Sequence, residues 1–201
     1  MRQVVLLFGF CACLSAAEND SLWQNLRARY LGLKTLSGTF TENICSEQAG
    51  TCTAFEGKFS ISVPAKYRLE VTDPQKQLIV SDSTNLWLYL ADQKLAQKQP
   101  AGGFAPVLAF LGPILDSTAT GEVSKDSTGT YVVKVTMGDS LSALNDLVLE
   151  LDETAARITG FSFVDGWGNK THFGLYDQQW NPKLSPALFR FTPPKGVTVE
   201  E

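Results

Sequence analysis

The chain has 201 residues, 44% apolar and 19% charged, which suits one folded domain with a sizeable core and excludes a disordered or collagen-like chain. Its 17 Lys and Arg against 21 Asp and Glu give a net charge of −4, so its surface offers nothing electrostatic to attract nucleic acid.

The first residues read as an export signal. Arg2 precedes an apolar run over 4–14, and the small residues Ser15, Ala16 and Ala17 stand before Glu18-Asn19-Asp20. A positive end, a short apolar stretch and small residues near the cut describe a secretory leader, with cleavage expected after Ala17. Removal of 1–17 leaves 16 basic and 21 acidic residues, a net charge of −5, on a single domain over 18–201. No later run approaches the roughly 20 apolar residues of a membrane-spanning helix, so an exported and released chain is expected. Cys11 and Cys13 read as apolar filler in this leader, the rival reading being a lipidated signal cysteine. Neither has a Leu-small-small approach, since Phe8-Gly9-Phe10 precedes the one and Phe10-Cys11-Ala12 the other.

Asn19-Asp20-Ser21 supply capping side chains, with Gln24 three residues after Ser21. Leu22, Leu26, Tyr30 and Leu33 recur at helical steps and predict an amphipathic helix over 21–34. From Leu36 the period becomes two. Gly38, Phe40, Glu42 and Ile44 alternate with polar neighbours, as do Phe55, Gly57, Phe59, Ile61 and Val63 before Pro64. Cys45 and Cys52 flank the polar loop 46–51. In an oxidising compartment they read as a disulfide across a hairpin, the alternative being two unpaired thiols on a loop. Tyr67, Leu69 and Val71 face away from Lys66, Arg68 and Glu70; strands over 78–81 and 86–90 flank Asp82-Ser83-Thr84-Asn85, and a sixth follows over 95–99.

Pro100-Ala101-Gly102-Gly103 breaks the alternation. The next residues, including Val107, Leu108, Phe110 and Leu111, are apolar on nearly every side and predict a short helix over about 105–111 that Gly112-Pro113 stops. So short a helix has little stability of its own and must lie against something apolar. Strands resume after Gly121, over 131–137, 147–151, 158–164 and 170–176, and the Pro-rich tail 185–199 carries Leu188, Phe189, Phe191 and Val197 for docking.

The result is a mainly β (α+β) fold, one large curved antiparallel sheet of ten or eleven strands with two or three helices. Phe40, Phe59, Ile61, Tyr67, Leu69, Trp87, Tyr89, Phe161, Phe163, Phe173 and Leu175 are placed on one face. The concave side is then either a filled core or a hollow, and composition does not separate the two.

No constellation for catalysis emerges. His172, the sole histidine, has no Cys or carboxylate cluster at metal-binding spacing and no Ser elbow beside it, so it reads as a surface or edge residue. Asp152-Glu153 is solvated turn charge, and Gly166-Trp167-Gly168 is a turn with no phosphate-cradling helix after it. The chain is expected to be no enzyme and to need neither metal nor cofactor.

The order of these features resembles the periplasmic outer-membrane lipoprotein carrier family, LolA. The residues carrying the likeness are Ser37-Gly38-Thr39-Phe40-Thr41, Gly57-Lys58-Phe59-Ser60-Ile61 leading to Pro64, Tyr67-Arg68-Leu69-Glu70 and Ile79-Val80-Ser81-Asp82. They continue through Leu86-Trp87-Leu88-Tyr89 and end in the most specific run, Phe189-Arg190-Phe191-Thr192-Pro193-Pro194-Lys195-Gly196-Val197. The resemblance implies an incomplete β-barrel of about 11 strands. It also implies an acyl-chain cavity lined by Phe40, Phe59, Ile61, Leu69, Trp87, Tyr89, Phe161, Phe163 and Phe173, with the segment bearing Val107, Leu108, Phe110 and Leu111 as lid. It implies a monomeric periplasmic carrier that receives acylated lipoproteins from an inner-membrane ABC transporter and passes them to an outer-membrane acceptor. Tyr67 matches an aromatic that either meets the transporter or simply packs.

One departure stands out. The family places an Arg before the proline to hydrogen-bond the lid, and this chain has Val63, so the latch is absent or comes from elsewhere, with Lys66 and Arg68 as candidates. A looser lid with tighter cargo retention is the expectation, testable by Val63→Arg. The family's Asp-Gly turn is Asp82-Ser83 here. Two other readings stay in view: a membrane-anchored acceptor or carrier of another lipid, and a lipoprotein-sensing regulatory adaptor.

Overall fold

The structure, a computed structural model, describes residues 16–101, 110–137 and 145–201. Helix α1 covers Ala16–Leu31 and buries Trp23, Leu26 and Tyr30. It begins well before the expected cap. Asn19, Asp20 and Ser21 lie inside it, and the Ser21 hydroxyl donates back to the Glu18 carbonyl, the local bond a serine makes in place of capping. The strong helix formers Ala16, Ala17 and Glu18 extend the helix past the polar triplet.

The strands are β1 Thr35–Ser46, β2 Thr51–Ser62, β3 Lys66–Asp73, β4 Gln77–Ser81, β5 Asn85–Leu90 and β6 Leu95–Pro100. After helix α2, Leu111–Leu115, come β7 Thr120–Lys125, β8 Tyr131–Thr136, β9 Asn145–Leu151, β10 Ile158–Val164 and β11 Asn169–Trp180. A 3-10 turn at Pro186–Phe189 leads to β12, Thr198–Glu200. They make one 12-stranded sheet in the order β12-β6-β5-β4-β3-β2-β1-β11-β10-β9-β8-β7. Its edges are β12 and β7, so the barrel stays open, as expected. Two strands beyond those read from the sequence are β7, and β12, which pairs with β6 in parallel.

Register fixes which residues face inward, because directly paired residues share a face. Leu36 pairs with Ile61, and Ile61 with Tyr67; Phe59 pairs with Leu69, and Leu69 with Ile79. On the other arm Phe40 pairs with Leu175, Phe161 with Phe173, and Leu149 with both Phe161 and Val133. These rows form one apolar core with α1 and α2. Phe59 lies over Gly38 and Phe40 over Gly57, so a glycine opposite each ring lets β1 and β2 curve closely.

Helix α2 corrects the sequence reading. Gly112-Pro113 does not end a helix; it sits in the first turn of one, after Phe110. A proline there lacks only a donor that would have no helical acceptor. The predicted segment 105–111 falls outside the described residues except for Phe110 and Leu111.

Candidate functional site

The concave side carries a file of aromatic rings. Tyr30 of α1 meets Phe110 edge-on at 6.3 Å between centroids, Phe110 meets Phe161 at 5.3 Å, Phe161 stacks on Phe173 at 4.8 Å, and Phe173 lies 6.0 Å from Phe40. Phe110 is completely buried although it belongs to no sheet strand. The residue that ends the apolar segment is thus seated inside the curve, against α1 on one side and β10 on the other.

The Tyr30 hydroxyl accepts the Ile158 backbone N–H at 2.9 Å, and burial pushes its ionisation well above the ordinary range. This bond ties α1 to β10. Arg27, one turn earlier on α1, donates to the Ile114 carbonyl at 3.2 Å and the Asp116 carbonyl at 2.9 Å. Those are the C-terminal carbonyls of α2, groups a helix leaves unsatisfied. Arg27 carries no apolar periodicity and no motif, so only the fold reveals it.

Of the residues expected to line a cavity, Phe40, Phe59, Ile61, Leu69, Phe161, Phe163 and Phe173 come together on the concave side and are buried. Trp87 and Tyr89 do not. Trp87 pairs with Val80 and that with Arg68, while Tyr89 pairs with Leu78 and that with Glu70, all on the opposite face. There they pack on Phe191 of the tail at 5.4 and 5.3 Å. Every position of β5 after Asn85 is apolar, so alternation gave no sign of which set turns inward; the inward side chains are Leu86, Leu88 and Leu90. Tyr67 is buried beside Ile61, which raises its hydroxyl to about 12 and leaves it no surface for a partner.

Val63 packs against the core, and its backbone N–H donates to the Lys34 carbonyl. The lid segment they are expected to latch lies mostly outside the described residues, and neither Lys66 nor Arg68 bonds to α2 among those described. Arg68 pairs with Glu70 at 2.6 Å and donates to the Leu188 carbonyl on the convex face, which Lys66, two residues earlier on β3, shares. Val107 and Leu108 lie outside the described residues. Cys45 and Cys52 face each other across β1 and β2 and are joined by a disulfide. His172 is a half-exposed surface residue whose Nε2 lies 3.0 Å from Glu150, a hydrogen bond that raises its ionisation above the usual histidine range.

An unclosed antiparallel sheet wrapped round an apolar interior, with a helix and an inserted phenylalanine across it, defines a half-barrel protein. The model of the family described as outer membrane lipoprotein carrier protein LolA matches residues 32–192, and the chain belongs to that family. An outer-membrane lipoprotein carrier protein of Neisseria meningitidis serogroup C is 32% identical over 168 residues, covering 82% of this chain and 79% of its own. One of Chromobacterium violaceum is 32% identical over 202 residues, covering 94% and 91%. The crystal structure of an uncharacterized conserved protein from Thermus thermophilus shares the fold with a TM-score of 0.53 at 13% identity, covering 92% of this chain and 98% of that one. Membership gives the protein a lipoprotein-carrier role. Among the described residues no helix is long and apolar enough to cross a membrane.

Proposed function

We propose that the protein is a periplasmic carrier that holds the acyl chains of lipoproteins between the concave sheet face and α1–α2. It would take them from an inner-membrane ABC transporter and deliver them to an acceptor at the outer membrane. The observation that carries this reading is Phe110. It is fully buried between Tyr30 and Phe161 without belonging to a strand, which supports reading it as a plug that cargo displaces.

Magnitudes favour exchange. Re-exposing Phe110 and Leu111 costs roughly 3–6 kcal/mol, while burial of one long acyl chain at about 0.8 kcal/mol per CH2 returns on the order of 10 kcal/mol. Cargo therefore displaces the plug, and the plug's return offsets part of the cost of releasing cargo. Arg27 supplies the hold on α2 that Val63 cannot.

Isolation of the full chain from the periplasm of its host, followed by mass spectrometry of intact complexes, tests the reading. Acylated lipoproteins bound one per carrier are expected. Recovery of folded protein that never carries an acylated partner, even when transfer to the outer membrane is blocked, would contradict it.

A further inference from the structure

The concave row of β1 runs Leu36, Gly38, Phe40, Glu42 and Ile44, and its fourth member breaks the apolar pattern. Glu42 pairs with Phe55 on β2 and Phe173 on β11. Its diagonal neighbours on that face are Gly57, Thr53, Leu175 and Thr171, and the strands beyond add Val71, Phe161 and Phe163. No charged side chain faces it from β1, β2, β3, β10 or β11. The nearest acids and bases, Glu56, Lys58, Lys170 and His172, pair with Thr41, Thr39, Cys45 and Asn43 and therefore project from the convex face.

Among the described residues Glu42 has no hydrogen bond or ion pair, and burial alone raises its carboxyl to about 7. Along the concave row Phe40 is fully buried while Glu42 and the next member, Ile44, are only partly so, so Glu42 marks the border between the greasy depth and the β1–β2 hairpin end. Glu42 is only partly buried, but it is the one ionisable member of an otherwise apolar row, and a ligand lying along this wall would pass beside it. An acyl chain lying along this wall brings a matching group. Its hydrocarbon fits the depth, and the ester or amide carbonyl that joins it to the cargo falls at the border.

We propose that Glu42, set in the concave apolar row at its border, is a cargo-binding residue: its carboxyl hydrogen-bonds the acyl ester or amide carbonyl and fixes how deep the chain enters. This rests on the carrier reading and deepens it. The loaded carboxyl, cut off from water by the chain, stays protonated to higher pH than the free one, so loading takes up a proton wherever the free group is ionised. Below pH 7 both forms hold the proton and affinity is flat. Above it, affinity falls about tenfold per pH unit until the loaded group also ionises.

Equilibrium binding of a synthetic triacylated lipopeptide to the full chain, to Glu42→Gln and to Glu42→Leu, from pH 6 to 9, tests this. The native protein should lose affinity above pH 7. Glu42→Gln, whose amide N–H donates at every pH, should bind at all of them as the native protein does at pH 6. Glu42→Leu should be equally flat but about fivefold weaker, the worth of one hydrogen bond. A slope above pH 7 that persists in Glu42→Gln, or equal affinity of the Gln and Leu variants, overturns the assignment while leaving the carrier intact. Failure of all three proteins to bind the lipopeptide at any pH defeats the carrier reading and this one with it.

Discussion

Single side chains set the conformation of the candidate site, and Arg27 is the clearest case. Two carbonyls at the end of a five-residue helix depend on its guanidinium. Arg27→Ala should cost about 2 kcal/mol in urea unfolding, the range for hydrogen bonds to a charged group, and should quicken lipopeptide uptake. Unchanged uptake would remove Arg27 from the latch. Ser83 makes the opposite prediction. It sits at φ 80 where the family's turn has glycine, while Asp82 accepts the Thr84 and Asn85 N–H groups. Ser83→Gly relieves that left-handed strain and should raise stability by about 1 kcal/mol, read from the urea midpoint. His172 adds a pH dependence. Its folded ionisation lies above the unfolded value, so its stabilisation is complete below pH 6.5 and lost as pH rises through the folded value. In His172→Asn the stability-pH curve should lose that slope.

Among the elements, the hairpins were legible because turn residues punctuate a two-residue period, and β10 runs over 158–164 as read. Strand β7 was not, since Thr-Gly-Glu-Val-Ser-Lys turns only Val123 into the core at a sheet edge. Strand β12 is three residues long and pairs with a strand about a hundred residues away, a contact that local pattern does not encode. The aromatic wall was partly legible. Phe40, Phe59, Phe161 and Phe173 alternate with polar residues, whereas Trp87 and Tyr89 sit among leucines and are covered by Phe191, so only register assigns their face. The β1–β2 hairpin is closed covalently. It joins Cys45 to Cys52 beside the salt bridge of Lys170 to Glu47. Reduction should cost about 2 kcal/mol by loop entropy, seen as a lowered urea midpoint, and leave lipopeptide affinity unchanged because both sulfurs lie beyond the acyl wall.

For the molecule as a whole, the open edge between β12 and β7 matters more than any one residue. In the proposed exchange, an unclosed sheet capped by α1 and α2 would let an internal plug give way to a ligand without breaking its strand ladder. Among the described residues the concave core is apolar and Glu42 stands at its border. The most direct measurement is photocrosslinking of a lipopeptide with a diazirine near the end of its acyl chain, mapped by peptide mass spectrometry. Adducts on the concave residues Phe40, Phe161 and Phe173, diminished when Phe110 is tethered in place, are predicted. Adducts confined to Trp87, Tyr89 and Phe191 on the convex face would contradict the half-barrel carrier.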